Sequence, residues 1–248
     1  MSSGSPHRLF AVTRPLAIPP SLDELLEYAD PQHPLLWTRG DRGCVGIGEA
    51  LRLTFTGPDR FREASAAWRE ITAAATIDDP VGLPGSGLLA FGTFAFSDTS
   101  ATESVLIVPR VLVARHRGTA WITEIGAEPL ARDPQLPATV AAGEFAGTRL
   151  PVAEPNPAYL AGVREAAARI ARGEVEKIVL SRQVSGWIRA SDDLRVPLRR
   201  LAQRYDDCWT FAVDGTLGAS PETLIRQTDG AISARVLAGT RARKAEAA

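Results

Sequence analysis

Cysteine and histidine are scarce in this sequence of 248 residues. The 2 cysteines, Cys44 and Cys208, and the 3 histidines match no zinc-ligand or redox spacing. A zinc enzyme and a disulfide-stapled secreted domain are therefore both disfavoured. A reducing compartment fits this cysteine content better, so we expect a cytoplasmic location.

The sequence also lacks an excess of charge of either sign. The 28 Lys and Arg residues nearly balance the 29 Asp and Glu residues, which leaves a net charge of -1 and no electrostatic signal for nucleic acid or an anionic membrane. No apolar run reaches membrane-spanning length, and the small polar residues at the start do not resemble a secretory signal. We therefore expect a small-molecule partner, no nucleic-acid or membrane partner, and a monomer.

What is present is a globular pattern, with 45% hydrophobic residues. Apolar residues at helical spacing predict a helix over residues 58–75, and the glycine-rich stretch 82–87 reads as a turn because no Lys-Ser or Lys-Thr follows it as in a phosphate-binding loop. The apolar run 88–96 predicts a strand buried on both faces in the centre of a sheet. Strand-like runs on either side of Gly118 predict a hairpin.

The composition changes between residues 127 and 156, where Ala, Pro, Gly and acidic residues replace periodic patterns. We expect a linker there, between an N-terminal α+β subdomain over residues 1–126 and the start of a second domain over residues 157–248.

The second domain begins with a strong helix signal. Asn156 suits the N-cap, Pro157 suits the first helical position and Gly173 suits the stop. A β-branched run over residues 177–184 predicts a strand, residues 197–205 predict a helix, and the segment 208–237 predicts successive antiparallel strands. The fold class we expect is α+β, with largely antiparallel sheets packed together and helices outside.

Three segments of the second half carry a family resemblance through their order and spacing. They are Glu176–Arg182 (EKIVLSR), Gly218–Leu224 (GASPETL) and Leu237–Arg243 (LAGTRAR). Together they resemble the chorismate-binding enzymes, the family of isochorismate, salicylate, anthranilate and aminodeoxychorismate synthases. The resemblance spans about residues 88–243, includes a weaker match at Ala90–Phe96, and implies chorismate as the small-molecule substrate.

Lys177 begins the predicted apolar strand, where alternation puts it on the same face as Val179 and Ser181. Apolar surroundings disfavour the charged ammonium form, which allows a lysine to act as a base near neutral pH. A lone lysine more commonly extends its amine to solvent. The resemblance implies the catalytic role, because relatives that add water have lysine at this position, whereas those that add ammonia usually have glutamine.

Glu222 follows Ser220 and Pro221 at a predicted strand corner. By itself a Pro-Glu pair is most often an exposed turn. The resemblance implies that Glu222 is the general acid that protonates the departing 4-hydroxyl of chorismate. An acid in that role must hold a proton, so we expect burial, which favours the neutral carboxylic acid.

Gly239 and Thr240 resemble the pair that lines the substrate in this family. Glycine allows a ligand to approach the backbone, and a threonine hydroxyl supplies a hydrogen bond. A strand-terminal turn explains the same two residues equally well from local sequence. Ala238 replaces the lysine with which aminodeoxychorismate synthases attack the ring, and alanine is no nucleophile.

The resemblance also implies Mg²⁺, held in relatives by two glutamates located beyond the segment Leu237–Arg243. After that segment this sequence has one carboxylate, Glu246, which is too close to match either ligand. We therefore expect no metal site within residues 1–248, with the ligands beyond residue 248 and the chain truncated. Little turnover by the chain alone, an exposed apolar surface and low stability are the corresponding expectations.

The resemblance implies an isochorismate synthase, which converts chorismate to isochorismate with Mg²⁺ by adding water at C2 and losing the C4 hydroxyl, for siderophore or menaquinone biosynthesis. A salicylate synthase begins with the same step, and the sequence does not distinguish the two. From a different class, a non-catalytic remnant that binds a partner or scaffolds a pathway is the alternative.

Overall fold

The computed structural model describes residues 8–150, 156–228 and 230–236, and it confirms a mixed α+β fold dominated by antiparallel pairing. The helices are α1 Leu22–Glu27, α2 Arg60–Ala74, α3 Pro157–Ala171 and α4 Arg195–Arg204. The strands are β1 Phe10–Leu16, β2 Leu35–Arg39, β3 Arg42–Ile47, β4 Leu51–Phe55, β5 Thr76–Asp78, β6 Phe91–Thr93, β7 Ser104–Val108, β8 Val111–His116, β9 Thr119–Gly126, β10 Trp209–Val213, β11 Thr216–Ser220, β12 Thr223–Thr228 and β13 Ala231–Arg235.

The chain divides into two compact units. The larger unit combines residues 1–143 with residues 193–248, and the smaller unit contains residues 144–192. The boundaries predicted from composition, with a linker over residues 127–156, stay a prediction.

The larger unit is built on an eight-stranded sheet with the order β11-β10-β2-β3-β8-β9-β1-β5. Its longest pairing joins β1 and β9 over seven residue pairs, from Phe10 opposite Gly126 to Leu16 opposite Ala120. At one edge β5 runs parallel to β1. Near the other edge β10 pairs with β2, with Phe211 opposite Trp37, so distant parts of the chain form one sheet.

Two predicted hairpins of this sheet are confirmed. The turn between β8 and β9 places Arg117 at φ 49° and Gly118 at φ 81°, and the turn between β10 and β11 places Asp214 and Gly215 at 49° and 76°. Two consecutive left-handed residues match the right-handed twist of the flanking strands. These two turns therefore set the register of both hairpins.

The core of the larger unit lies against this sheet. Fully buried side chains on its central strands include Val45, Leu112 and Trp121. The predicted helix α2 is confirmed, and it buries Ala64 and Ile71. Burial of such apolar side chains contributes about 25 cal/mol for each Å² removed from water, which makes this shared core the main source of stability.

The prediction for residues 88–96 is wrong in position. Only Phe91–Thr93 forms a strand, β6, and it lies at the edge of a three-stranded sheet with the order β4-β7-β6. Phe91 is buried, but Phe96 is completely exposed. Apolar content indicates which side chains can be buried, whereas a central strand needs a hydrogen-bonded neighbour on each side, and β6 has one in the described sheet.

The smaller unit confirms the predicted helix and its ends. The Oδ1 atom of Asn156 accepts a hydrogen bond of 3.0 Å from the Tyr159 N–H, Pro157 is the first helical residue, and Gly173 follows the helix at φ 72°. No residue of α3 is buried. The cap therefore defines the helix more clearly than packing does.

No helix within the described ranges is long and apolar enough to cross a membrane. Cys44 and Cys208 are both free thiols.

Candidate active site

Lys177 lies in the smaller unit, beyond the end of α3. The backbone there is irregular and the side chain is exposed, so the strand predicted over residues 177–184 is absent. In this unit the described pairing is one isolated bridge between Arg149 and Trp187. A β-branched run becomes a strand only beside a partner edge, and without one Val179 is 81% exposed. The described residues of this unit therefore leave Lys177 exposed, without the apolar surroundings expected for it.

Glu222 lies in the larger unit, at the corner between β11 and β12, as predicted. Its backbone N–H donates a hydrogen bond of 3.2 Å to the Ser220 hydroxyl oxygen, and Pro221 restricts the backbone between them. These constraints set the direction in which the chain leaves β11. The Glu222 side chain is exposed among the described residues, which differs from the expected burial.

Gly239 and Thr240 lie outside the described residues, as does Ala238. Neither compact unit contains both Lys177 and Glu222. The roles predicted for all four site residues therefore stay predictions.

Within residues 8–150, 156–228 and 230–236 there is no group of three or more His, Cys, Asp or Glu side chains that could hold a metal ion. A hard divalent cation needs several oxygen ligands. The described residues therefore do not fit Mg²⁺.

One concave feature that the sequence did not indicate is a cavity of about 450 Å³ in the larger unit. Trp37, Trp209 and Arg42 are among its lining residues. Trp37 and Arg42 come from the consecutive strands β2 and β3, whereas Trp209 comes from β10, which is distant in the sequence and adjacent to β2 only in the sheet. The tryptophans are a sequence signal for such a cavity, because aromatic side chains often line ligand sites. No sequence motif connects Trp37 with Trp209, so the sequence does not show that they lie together.

The electrostatics of that cavity follow from burial. Burial raises the pKa of the Cys44 thiol to about 12, so Cys44 stays neutral at pH 7. Burial also lowers the pKa of Arg115, which remains charged because the ordinary value for arginine is so high. The cavity wall is therefore cationic.

Comparison with known proteins gives a consistent set of similarities. The family model described as chorismate binding enzyme matches residues 25–248. Isochorismate synthase DhbC of Bacillus subtilis (strain 168) is 39% identical over 107 residues, which cover 38% of this chain and 26% of that protein.

The fold is similar to a solved structure of MenF, the menaquinone-specific isochorismate synthase of Escherichia coli. The TM-score is 0.57 at 20% identity, and the match covers 89% of this chain and 52% of the MenF chain. The chain thus spans about half the length of that structure and about a quarter of DhbC.

Proposed function

This chain belongs to the chorismate-binding enzyme family, and we propose that it takes part in converting chorismate to isochorismate. The observation that carries the proposal is the family match over residues 25–248. The similarity to DhbC, an isochorismate synthase, favours the branch of the family that adds water. Lys177 supports the same branch through its place in the segment Glu176–Arg182.

In the proposed reaction Lys177 acts as general base and Glu222 as general acid. Lys177 takes a proton from water while the water oxygen forms a bond to ring C2. The ring double bond shifts, the C4–oxygen bond breaks, and Glu222 gives its proton to the departing hydroxyl. The elements of water are added and lost, so the product is an isomer of the substrate.

The local structure supports the role of Glu222 in one respect. Pro221 and the hydrogen bond from the Glu222 N–H to Ser220 restrict the backbone that carries the acid. The side chains of Lys177 and Glu222 are exposed, so the burial that these roles call for is not formed within either unit among the described residues. A positioned acid or base contributes about 10²- to 10⁴-fold in rate.

We further propose chorismate as the substrate and Mg²⁺ as the cofactor, in a monomeric cytoplasmic enzyme whose product enters siderophore or menaquinone biosynthesis. A bound Mg²⁺ would neutralise negative charge on the substrate. The described residues supply no ligand set for the ion, so no step of the reaction is assigned to it. Gly239 and Thr240 are proposed to line the substrate.

The test is an assay of chorismate turnover with Mg²⁺, using this chain together with any continuation that its locus encodes. Chromatography separates isochorismate from salicylate, and salicylate fluorescence identifies a salicylate synthase. Isochorismate is the expected product. Failure of the folded protein to consume chorismate would contradict the proposed function.

The roles of the two residues are tested by Lys177→Gln and Glu222→Gln in the same protein. Each substitution should lower kcat by about 10²- to 10⁴-fold, because it removes a proton-transfer group. Arg172→Gln and Glu128→Gln are controls at exposed positions in the same two units, and both should keep the original kcat. A Lys177→Gln variant with unchanged kcat would rule out the base role.

A further inference from the structure

Glu222, the acid of the proposed function, lies at a corner between two separate sheets of the larger unit. β11 ends at Ser220 in the eight-stranded sheet, and β12 begins at Thr223 in the two-stranded sheet with β13. Pro221 and Glu222 belong to neither strand, so neither described ladder of hydrogen bonds includes the residue that carries the acid. The orientation of Glu222 therefore depends on contacts made at the corner itself.

The end of β11 is held firmly against its neighbour. All 5 residues of β11 pair with β10, and the last pair joins Ser220 to Trp209. Gly218 lies opposite Phe211, whose ring covers it so closely that an added Cβ would come within 3.1 Å of the ring atom Cζ. An aromatic residue opposite an edge-strand glycine helps to pin the register of the pair. The strand therefore brings Ser220 to a defined position.

β12 leaves the corner with an irregular pairing. Thr223 is opposite Arg235 and Arg226 is opposite Ser233, so three steps along β12 correspond to two steps along β13. Such a bulge inserts an extra residue, bends its strand and disrupts the ladder locally. The regular end of β11 is therefore the firmer of the two supports on either side of Glu222.

The Ser220 hydroxyl connects Glu222 to that firmer side. Its oxygen accepts the hydrogen bond of 3.2 Å from the Glu222 N–H. Pro221 has no N–H, so Glu222 carries the only backbone donor between the two strands, and among the described residues Ser220 is its partner. The bond closes the turn around Pro221 and holds the peptide plane from which the Glu222 side chain projects.

The placement of the acid matters for the proton transfer. The Glu222 side chain is exposed among the described residues, so packing does not orient it there, and its backbone is the support that remains. A general acid must lie about 2.6–3.2 Å from the oxygen that it protonates. A misplacement of about 1 Å can cost about 10²-fold in rate.

From these contacts we propose that Ser220 is a positioning residue for the acid Glu222, acting through its hydroxyl oxygen on the Glu222 N–H. This inference rests on the proposed function, in which Glu222 protonates the departing C4 hydroxyl. Ser220 itself transfers no proton in this role. Loss of its hydroxyl therefore slows the proton transfer and leaves the binding of chorismate unchanged.

The test is the steady-state kinetics of chorismate turnover, using this chain together with any continuation that its locus encodes. Ser220→Ala removes the acceptor and should lower kcat by about 10- to 100-fold, with KM within about two-fold of the original. Ser220→Thr keeps the hydroxyl and should retain kcat, whereas Ser220→Cys, whose sulfur is a weak acceptor, should have an intermediate kcat. The control Thr216→Ala removes an exposed hydroxyl at the other end of β11 and should leave kcat unchanged.

A double-mutant cycle with Glu222→Gln separates positioning of the acid from a purely structural role. Because Ser220 acts through the Glu222 carboxyl group, Ser220→Ala should lower kcat no further in the Glu222→Gln protein. Equal losses of kcat in both backgrounds, or the original kcat in a folded Ser220→Ala protein, would overturn the inference. Ser220→Cys replaces Ser220→Ala in both comparisons if thermal melting shows that the alanine variant is unfolded. An unchanged kcat in Glu222→Gln would reject the acid role in the proposed function, and this inference with it.

Discussion

The side chains of Arg195 and Asp193 form an ion pair in which each is only 3% exposed, at 2.7 Å between Nη2 and Oδ2. The same guanidinium donates to the carbonyls of Val140 and Ala141, at 2.8 and 2.9 Å. Asp193 in turn accepts from the Gly143 N–H at 2.7 Å. One buried pair therefore fixes the segment 140–143, which has no helix or strand of its own.

Arg195→Met should lower the free energy of unfolding by about 3–5 kcal/mol, because it leaves a buried carboxylate and two carbonyls without their partner. Arg62→Met is the control, since it breaks an exposed pair with Asp59 and should cost at most about 1 kcal/mol. Urea denaturation followed by circular dichroism measures both. An equal decrease in the free energy of unfolding in the two variants would show that the buried pair stabilises the chain no more than the exposed pair does.

Asp193 also gives the stability a defined pH dependence. Burial raises the pKa of Asp193, but hydrogen bonds from Arg195 and the Gly143 N–H outweigh burial and hold the pKa below its usual value. The unfolded chain therefore binds a proton more readily than the folded chain. Above the unfolded-state pKa of about 3.9, Asp193 makes its full contribution to the free energy of unfolding. This contribution is lost as the pH falls through the lower pKa that Asp193 has in the folded state.

We expect Asp193→Asn to be less stable than the original chain by a constant amount between about pH 5 and pH 7, and the difference to shrink below about pH 4. Urea titrations of both proteins at each pH measure this difference. A difference that grows on acidification would contradict the sign of the pKa shift.

At the scale of elements, glycines at turns and in helices should respond oppositely to the same substitution. Gly118 has φ 81° in the β8–β9 turn, where an added Cβ is strained by the backbone alone. Gly162 lies inside α3 with nothing within 4 Å of an added Cβ. The two positions therefore form a matched pair.

Gly118→Ala should destabilise the chain by about 1 kcal/mol, because alanine is unfavourable at positive φ. Gly162→Ala should stabilise α3 by about 0.5–1 kcal/mol, because alanine loses less conformational entropy in a helix. Urea denaturation reports the first and helical circular dichroism the second. A stabilising Gly118→Ala would show that the turn is not left-handed.

Helices and tight turns of this chain could be predicted from the sequence, because their signals are local. Asn156, Pro157 and Gly173 define α3 by capping. The short helix α1 was missed although its capping box, Ser21 with Glu24, is visible in the sequence. The six residues of α1 give a weaker periodic signal than the fifteen residues of α2 or of α3, and a capping box marks only the start of a helix.

At the scale of the whole molecule, the two-stranded sheet of β12 and β13 presents several large apolar side chains to solvent. Leu224 is 89% exposed, Ile225 63% and Ile232 68%. A two-stranded sheet by itself is marginally stable in water. Such an exposed apolar surface is a site for association or aggregation.

Leu224→Thr combined with Ile232→Thr should reduce binding of a hydrophobic dye such as ANS and leave the stability within about 0.5 kcal/mol, because threonine keeps the strand propensity and no buried contact is lost. The control is Leu112→Thr, at a fully buried position of β8, which should destabilise the chain strongly. Dye fluorescence and thermal melting measure both effects. Unchanged dye binding would mean that these side chains are covered in solution.

The sequence by itself determined the caps of α3 and the left-handed turns of two hairpins, because each depends on residues close together in the chain. It also determined the membership of the chorismate-binding family, through the order and spacing of three segments. Only the tertiary structure decided that β10 pairs with β2, that Lys177 is exposed, and that Trp37, Trp209 and Arg42 share one cavity. Local conformational energies can be estimated from neighbouring residues. Strand pairing, burial and cavities depend on which distant segments meet, and the strand-like run 177–184 shows that propensity without a partner edge does not form a strand.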